Sequence, residues 1–171
     1  PGGVVTITTD TGDLTSGSIT TDGGTAATAS AGENAGNITL TAADTLNFNA
    51  NISAVGSDGN SAAGGAGGAV GLSGTNGIRF NAIIATNGGS GTTNGAGGTV
   101  TFNDPVTTEF GIGVDTGLSV TTGATAGDIL FRDTLDSRSG ETYAFTLTAG
   151  TGNIEFDAAV GATDALGDLQ I

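Results

Sequence analysis

Three carboxylates stand close together in the string RDTLDSRSGE, beside two of the three arginines in the chain. The carboxylates are Asp133, Asp136 and Glu141, and the arginines are Arg132 and Arg138. Carboxylate oxygens that converge on one point bind Ca²⁺, and two carboxylates at a fixed separation can hydrolyse a glycosidic bond. Acidic and basic groups side by side also suit a polysaccharide lyase. This segment is therefore where the sequence would place chemistry, if it has any.

The rest of the sequence argues against an enzyme. It contains no His, Cys or Lys, so the common pairs of nucleophile and base cannot be assembled. A sugar-cleaving cleft is usually lined by aromatic side chains, yet Trp is absent and Tyr143 is the one tyrosine. We predict that the chain is not an enzyme and has no catalytic residue. We interpret the acidic segment as a solvated loop.

Calcium binding stays open as an alternative role for the acidic residues. The sequence has neither an EF-hand loop nor the calcium-binding nonapeptide repeat, although glycine is abundant. Aspartates at turns commonly accept hydrogen bonds from nearby backbone amides instead. We therefore predict no cofactor, and we name Asp133, Asp136 and Glu141 as the candidate ligands if Ca²⁺ is bound.

The charge balance excludes several classes of partner. The formal net charge is −14, and such a surface repels nucleic acids and anionic membranes because phosphate binding needs cations. No apolar stretch approaches the roughly 20 residues of a membrane-spanning helix. The Gly-rich tracts also lack the lysine of a phosphate-binding P-loop. We predict no nucleic-acid partner and no membrane insertion.

The elements that position these groups are predicted to be short β-strands. Apolar and polar residues alternate in VVTIT (Val4–Thr8), starting at Val5, and in NITLT (Asn37–Thr41), which is typical of half-buried strands. Hydrophobic residues make up 36% of the chain and aromatic residues only 5%. The core must therefore be narrow and built from branched aliphatic side chains and Phe. We predict an all-β fold in a single domain over residues 1–171.

These strands recur at intervals that shorten from 33 residues (Val5 to Ile38) to 25 residues (Ile129 to Ile154). A recurring unit of this size indicates a solenoid, in which equivalent strands stack in parallel at roughly 4.8 Å. The first inward column is predicted to consist of Val5, Ile38, Val70, Val100, Ile129 and Ile154. The second is predicted to consist of Ile7, Leu40, Leu72, Phe102, Phe131 and Phe156.

A second motif recurs in the same frame and supplies a third inward column. It pairs a Phe with an apolar residue four positions later, as in Phe48 and Ile52, Phe80 and Ile84, and Phe110 and Val114. Three Gly-rich tracts of variable length precede the next first strand, namely TDGGTAATASAGENAG, GSDGNSAAGGAGG and NGGSGTTNGAGG. Insertions at one corner are what a solenoid tolerates. We predict a single-stranded parallel β-helix (β-solenoid) of about six coils of 25–33 residues.

Neither end of the sequence shows an amphipathic capping helix. Strand edges that are left bare are prone to pair with other strands. We therefore expect further coils, supplied either by continuation in a longer chain or by end-to-end self-association as a fibre subunit.

The C-terminal string TGNIEFDAAVGATDALGDLQI (Thr151–Ile171) resembles a recurring unit of large bacterial surface adhesins. These are the filamentous-haemagglutinin-like or β-strand-repeat proteins. TYAFTLTAG (Thr142–Gly150) and the upstream strings GNITLTA and GTVTF follow the same style. The resemblance implies a right-handed parallel β-helix, export to the bacterial cell surface, and a role in adhesion, biofilm or fibre formation.

We therefore predict a structural β-solenoid segment of a secreted bacterial surface fibre or adhesin, located outside the cell. The alternative is an extracellular module that binds a host or matrix glycan, or Ca²⁺, through its Gly-rich corner loops.

Overall fold

The computed structural model describes residues 1–109, 118–123 and 125–171, and every regular element in them is a β-strand. None of these residues belongs to a helix that is long and apolar enough to span a bilayer. In chain order the strands are β1 (Val5–Thr8), β2 (Leu14–Ser16), β3 (Ile19–Thr20), β4 (Ile38–Ala42), β5 (Leu46–Phe48), β6 (Ile52–Ser53), β7 (Val70–Gly74), β8 (Ile78–Phe80), β9 (Ile83–Ala85), β10 (Val100–Phe102), β11 (Val106–Thr108), β12 (Leu118–Thr121), β13 (Ile129–Phe131), β14 (Leu135–Ser137), β15 (Phe145–Thr148), β16 (Ile154–Phe156) and β17 (Leu169–Gln170).

The strands form three parallel sheets, and each coil except the last contributes one strand to each sheet in turn. Sheet 1 has the order β1-β4-β7-β10-β13-β16, sheet 2 has β2-β5-β8-β11-β14, and sheet 3 has β3-β6-β9-β12-β15-β17. Every strand therefore pairs with its equivalent one coil away. The chain is a parallel β-solenoid, which confirms the predicted fold class.

The number of coils differs slightly from the six predicted. Within residues 125–171, the last coil forms no strand in sheet 2, where a bridge between Leu135 and Val160 continues the stack. The first coil (β1 to β3) and the last coil are each covered on one side only. Four coils, from β4 to β15, are enclosed on both sides.

The core is a narrow apolar stack between the three sheets. The largest inward-facing side chains of the enclosed coils, such as Phe102, are fully buried. Four residues that were predicted as core lie in the end coils and are less covered. Ile7 is 37% exposed, and Val5, Ile154 and Phe156 are half-buried. They hold the predicted register, but they close the ends of the core instead of lying inside it.

The predicted equivalence of Phe80 with Phe110 is wrong, although Phe48 does pair with Phe80. The ladder places Thr108 beside Phe80, and Phe110 lies outside the described residues. The cause is a shorter corner between sheets 1 and 2. The chain advances six residues from Leu72 to Ile78 but only four from Phe102 to Val106. The residue that pairs with Phe80 therefore lies two positions earlier in the sequence than predicted.

The partner of Ile84 in sheet 3 also differs from the predicted one, because the chain advances twelve residues from Thr108 to Val120 but only four from Phe80 to Ile84. Ile84 pairs with Val120, whereas Val114, its predicted equivalent, lies outside the described residues. Val120 is fully buried and continues the column formed by Ile19, Ile52 and Ile84.

Candidate functional site

The feature that repeats throughout this molecule is the interface between successive coils, and we treat it as the candidate functional site. In sheet 1 the first predicted column forms one continuous ladder, which joins Val5, Ile38, Val70, Val100, Ile129 and Ile154. The second column is continuous in the same strands and joins Ile7, Leu40, Leu72, Phe102, Phe131 and Phe156. Like residues therefore lie on like residues along the axis, and complete burial of each aliphatic side chain stabilises the stack by about 1.5–3 kcal/mol.

Aromatic rings connect the columns of different sheets. Phe102 and Phe131 stack face to face with centroids 4.7 Å apart and planes 4° apart, and Phe131 stacks on Phe156 at 5.1 Å. Phe80, from sheet 2, meets Phe102 edge-on at 5.7 Å, and Phe145, from sheet 3, meets Phe131 edge-on at 6.1 Å. Such pairs add about 0.5–1.5 kcal/mol each beyond the area that they bury. The rings therefore tie all three sheets together.

A buried threonine closes the corner between sheet 3 and sheet 1 in three coils. The hydroxyl groups of Thr21, Thr86 and Thr122 donate to the carbonyl oxygens of Gly36 (2.7 Å), Gly98 (2.7 Å) and Gly127 (2.6 Å). In the other enclosed coils the same corner position holds the small residues Ala54 and Ala149. We call the segment between the threonine and the glycine of each pair an excursion. The hydrogen bond joins the two ends of the excursion, so the length of the segment between them can vary. Sequence reasoning missed these residues, whose signal is a Thr two positions after the inward residue of the third strand.

The Gly-rich tracts beyond this corner are ordered by hydrogen bonds to one another. The Ser57 amide donates to the Glu33 carbonyl, Gly65 donates to Ser57, Gly89 to Gly65, and Gly95 to Gly89, at 2.8–3.0 Å. The first and third of these bonds join neighbouring coils, and the second and fourth lie within one coil. A methyl group at Gly65 would overlap the backbone of Glu33, and one at Gly89 would overlap the backbone of Ser57. Glycine is therefore required at these positions because the backbones of neighbouring Gly-rich tracts are in direct contact. Glycan recognition by these loops stays a prediction.

Eight Asp and Asn side chains make a second set of inter-coil hydrogen bonds. Their side-chain oxygens accept from backbone amides of the next coil at 2.7–3.1 Å, in the pairs Asp13–Thr45, Asp22–Val55, Asn34–Ala66, Asn37–Ala69, Asn51–Ile83, Asp58–Ser90, Asp128–Asn153 and Asp136–Thr163. These oxygens satisfy amides at the corners, where the strand ladder is interrupted. Part of the acidic composition thus has a structural role.

The proposed calcium ligands do not converge. The Asp133 carboxylate accepts from the Thr134 amide at 2.7 Å, and the Asp136 carboxylate accepts from the Thr163 amide at 3.0 Å. Across residues 1–109, 118–123 and 125–171, no three acidic, His or Cys side chains are grouped so as to hold a metal ion. Asp133, Asp136 and Glu141 are therefore close in sequence without forming a metal centre, and calcium binding stays a prediction.

The outer face of sheet 1 carries an ion pair between the last two coils. Nη1 of Arg132 lies 2.8 Å from Oδ2 of Asp157 and 3.5 Å from Oε1 of Glu155. The hydrogen bond from Arg132 lowers the pKa of Asp157, and the same bond raises the pKa of Arg132. All three side chains are exposed or nearly so, so solvent screens the pair and its contribution to stability is small.

Comparison with known proteins gives no relative for this chain. No protein-family model matches it, and no curated protein or solved structure matches it at a significant level.

Proposed function

We propose that this protein is a structural β-solenoid segment of a secreted bacterial surface fibre or adhesin. Its function in that setting is mechanical: it forms a stiff, acidic rod that separates or displays other parts of the fibre. The observation that carries the proposal is the continuity of three parallel ladders through successive coils. Because the backbone ladders join adjacent coils, the length of such a rod is set by the number of coils and its stability grows with every interface.

The inter-coil contacts support a mechanical role. Backbone ladders, stacked rings and side-chain bonds such as Asp22 to Val55 all link residues of adjacent coils. Pulling two coils apart would break these contacts together. The acidic surface keeps the rods soluble and mutually repulsive. The resemblance of residues 142–171 to adhesin repeats points to the bacterial cell surface as the place where this rod is used.

We propose that further coils cover both end coils, from a longer chain or from a second copy. Val4 and Ile7 are 70% and 37% exposed at one end. At the other end, an open cavity of about 620 Å³ exposes the apolar side chains of Ile154, Phe156 and Ile171. Sedimentation of the chain over a range of concentrations separates the two sources. Concentration-dependent growth supports a second copy, and a constant monomer supports continuation in a longer chain.

Immunogold electron microscopy of intact source cells tests the cellular role. Antibodies raised against the chain are expected to label fibres or the outer surface, and shaving the cells with protease should remove the label. A cytosolic marker is the control for cell lysis. Label confined to the cytoplasm would refute the surface-fibre proposal, while the solenoid fold would stand.

A further inference from the structure

A glycine stands two residues before the first inward residue of sheet 1 in every coil, and at most of these positions a side chain is sterically excluded. A Cβ added at Gly36 would overlap the carbonyl oxygen of Gly3 in the preceding coil, and a Cβ added at Gly68 would overlap that of Gly36. Gly98 and Gly152 meet the equivalent glycine of the coil before them in the same way. Glycine is needed at this corner because the backbones of successive coils come into direct contact there.

Gly3 follows the same pattern, although the structure contains no coil before it. No atom lies within 4 Å of a Cβ added at Gly3, so the fold of a single chain supplies no steric reason for glycine at this position. At the opposite end of the rod, the carbonyl group of Gly152 is the last of the series, and none of the described residues stacks a glycine on it. The two ends of the rod therefore carry the two complementary halves of the contact that joins successive coils.

The apolar columns end in residues that match in the same register. At the C-terminal end, Ile154, Phe156 and Ile171 line an open cavity of about 620 Å³. At the N-terminal end, the first members of the same columns are half-buried or exposed, because no coil covers them. One further step of the ladder would place apolar residues on apolar residues, in the pairs Ile154–Val5, Phe156–Ile7 and Ile171–Ile19. Burial of these side chains would drive the contact.

Polar groups at the two ends correspond as well. The side-chain oxygen of Asn37 accepts from the Ala69 amide of the next coil at 2.9 Å, and that of Asp128 accepts from the Asn153 amide at 2.8 Å. Asn153 occupies this position in the last coil, and its side-chain oxygen accepts no hydrogen bond from the part of the chain that the structure describes. In the next step of the ladder, the equivalent amide is that of Val4.

We propose that the N-terminal end of one copy of this chain stacks on the C-terminal end of another, head to tail, with β1 on β16. The inference rests on the proposed function, in which further coils cover both end coils, and it adds the partner, its direction and its register. Because the two surfaces differ, the contact does not close on itself and can repeat into a filament. On the outer face of sheet 1 the joint would place Glu155 beside Thr6 and Asp157 beside Thr8, so no like charges meet there.

Sedimentation of the whole chain over a range of concentrations measures the stacking. Salt at about 1 M shortens the Debye length to about 3 Å and so screens the repulsion between acidic rods. We expect the average mass to rise with concentration. Gly3→Ala should weaken the association at least about tenfold, because the methyl group would overlap the Gly152 carbonyl oxygen of the adjacent copy. Gly71→Ala is the matched control, since Gly71 is an equally open position in the middle of the rod, and it should associate like the wild type.

The folding of Gly3→Ala is checked separately. At a protein concentration too low for stacking, its thermal unfolding midpoint should equal that of the wild type, because the added Cβ meets no atom of its own chain. A loss of association with an unchanged midpoint then locates the effect at the joint.

Disulfide cross-linking tests the direction and the register, and the chain has no cysteine of its own. In the proposed stack, Thr6 of one copy lies beside Glu155 of the other, within the roughly 4.4–6.8 Å between Cα atoms that a disulfide needs. Within one chain the two residues are five ladder steps apart, about 24 Å at roughly 4.8 Å per step. The double variant Thr6→Cys, Glu155→Cys should therefore give a series of linked dimers, trimers and longer products upon oxidation. The control pair Thr6→Cys, Thr101→Cys should give none.

Three results would each overturn the inference. The first is a constant monomer mass up to about 1 mM protein, which would assign the covering coils to a longer chain. The second is association of Gly3→Ala as strong as that of the wild type. The third is a linked dimer formed by Thr6→Cys alone, which would mean that the copies meet head to head. None of these results bears on the cellular location, which the immunogold experiment decides independently.

Discussion

Thr86 and Gly98 are joined by two hydrogen bonds that run in opposite directions. The buried Thr86 hydroxyl donates to the Gly98 carbonyl oxygen at 2.7 Å, and the Gly98 amide donates to the Thr86 carbonyl oxygen at 2.7 Å. Together the two bonds close the base of the Gly-rich excursion over residues 87–97. The ladders on either side can therefore keep their register whatever the length of the excursion.

Replacing Thr86 with Val should destabilise the protein by about 1–3 kcal/mol, because the shape is kept while the buried Gly98 carbonyl loses its donor. Thr39→Val is the matched control, since Thr39 is exposed on β4, and its effect should stay within about 0.5 kcal/mol. Denaturant unfolding of both variants measures the difference. Equal effects would mean that the corner bond is not important for stability.

Replacing Gly65 with Ala should destabilise the fold by about 1–3 kcal/mol or more, because the added methyl group overlaps the Glu33 backbone and the excursions must separate. Gly71→Ala is the control. Gly71 has no atom within 4 Å of the position of an added Cβ, so Ala there should be neutral or stabilise by about 0.4–1 kcal/mol through the unfolded chain. The free energies of unfolding of the two variants decide the matter, and a tolerant Gly65 would contradict the packing described for the excursions.

Replacing Phe48 with Asp should unfold the protein or cost several kcal/mol, because a carboxylate would be buried without a partner. The Phe48 ring is fully buried, and its centroid lies 5.2 Å from that of Phe80. Asn47→Asp introduces the same side chain at the adjacent, outward position of β5 and should leave the fold intact. Circular dichroism during heating compares the two variants. A stable Phe48→Asp protein would show that the inward column is assigned to the wrong residues.

The Asp22 side chain should stabilise the corner as a hydrogen-bond acceptor and not as a charge. Its Oδ1 accepts from the Ser53 hydroxyl at 2.6 Å and from the Val55 amide at 2.8 Å. Asp22→Ala should therefore cost about 1 kcal/mol and speed hydrogen exchange of the Val55 amide, whereas Asp22→Asn keeps an acceptor oxygen and should lose less. If Asp22→Asn destabilised the protein as much as Asp22→Ala, the negative charge of Asp22 and not its role as a hydrogen-bond acceptor would be the cause.

The pKa of Asp157 should depend on Arg132, whose hydrogen bond lowers it in the folded chain. The ionised carboxylate consequently stabilises the folded state at pH values above the unfolded pKa of about 3.9, and this contribution is lost as the pH falls through the lower folded value. NMR titration of the carboxyl carbon should give a midpoint below about 3.9 in the wild type and a higher midpoint in Arg132→Gln. Arg79→Gln should not move that midpoint. An unchanged midpoint in Arg132→Gln would refute the coupling.

The fold class could be predicted because its signal is local and periodic. Alternation within each strand marks the side chains that point inward, and the recurrence of Val5, Ile38 and Val70 at similar intervals marks the strands that stack. A parallel solenoid is the arrangement in which both patterns bury their apolar faces at once. The exposed pair of Arg132 and Asp157 follows from the same ladder, because these residues directly follow the paired inward residues Phe131 and Phe156 and therefore face outward.

The tertiary structure decided the contacts that depend on the length of each corner. It also decided the contacts between segments that are not equivalent positions of the sequence repeat. A corner two residues shorter in the fourth coil placed Thr108, not Phe110, beside Phe80, and no pattern within a strand reports the length of a turn. The separation of Asp133, Asp136 and Glu141 likewise depends on where each turn carries the chain. The amino-acid sequence alone determined which residues of sheet 1 face the core, whereas the path around each corner decided which residues of the other two sheets continue the columns and which remaining residues meet.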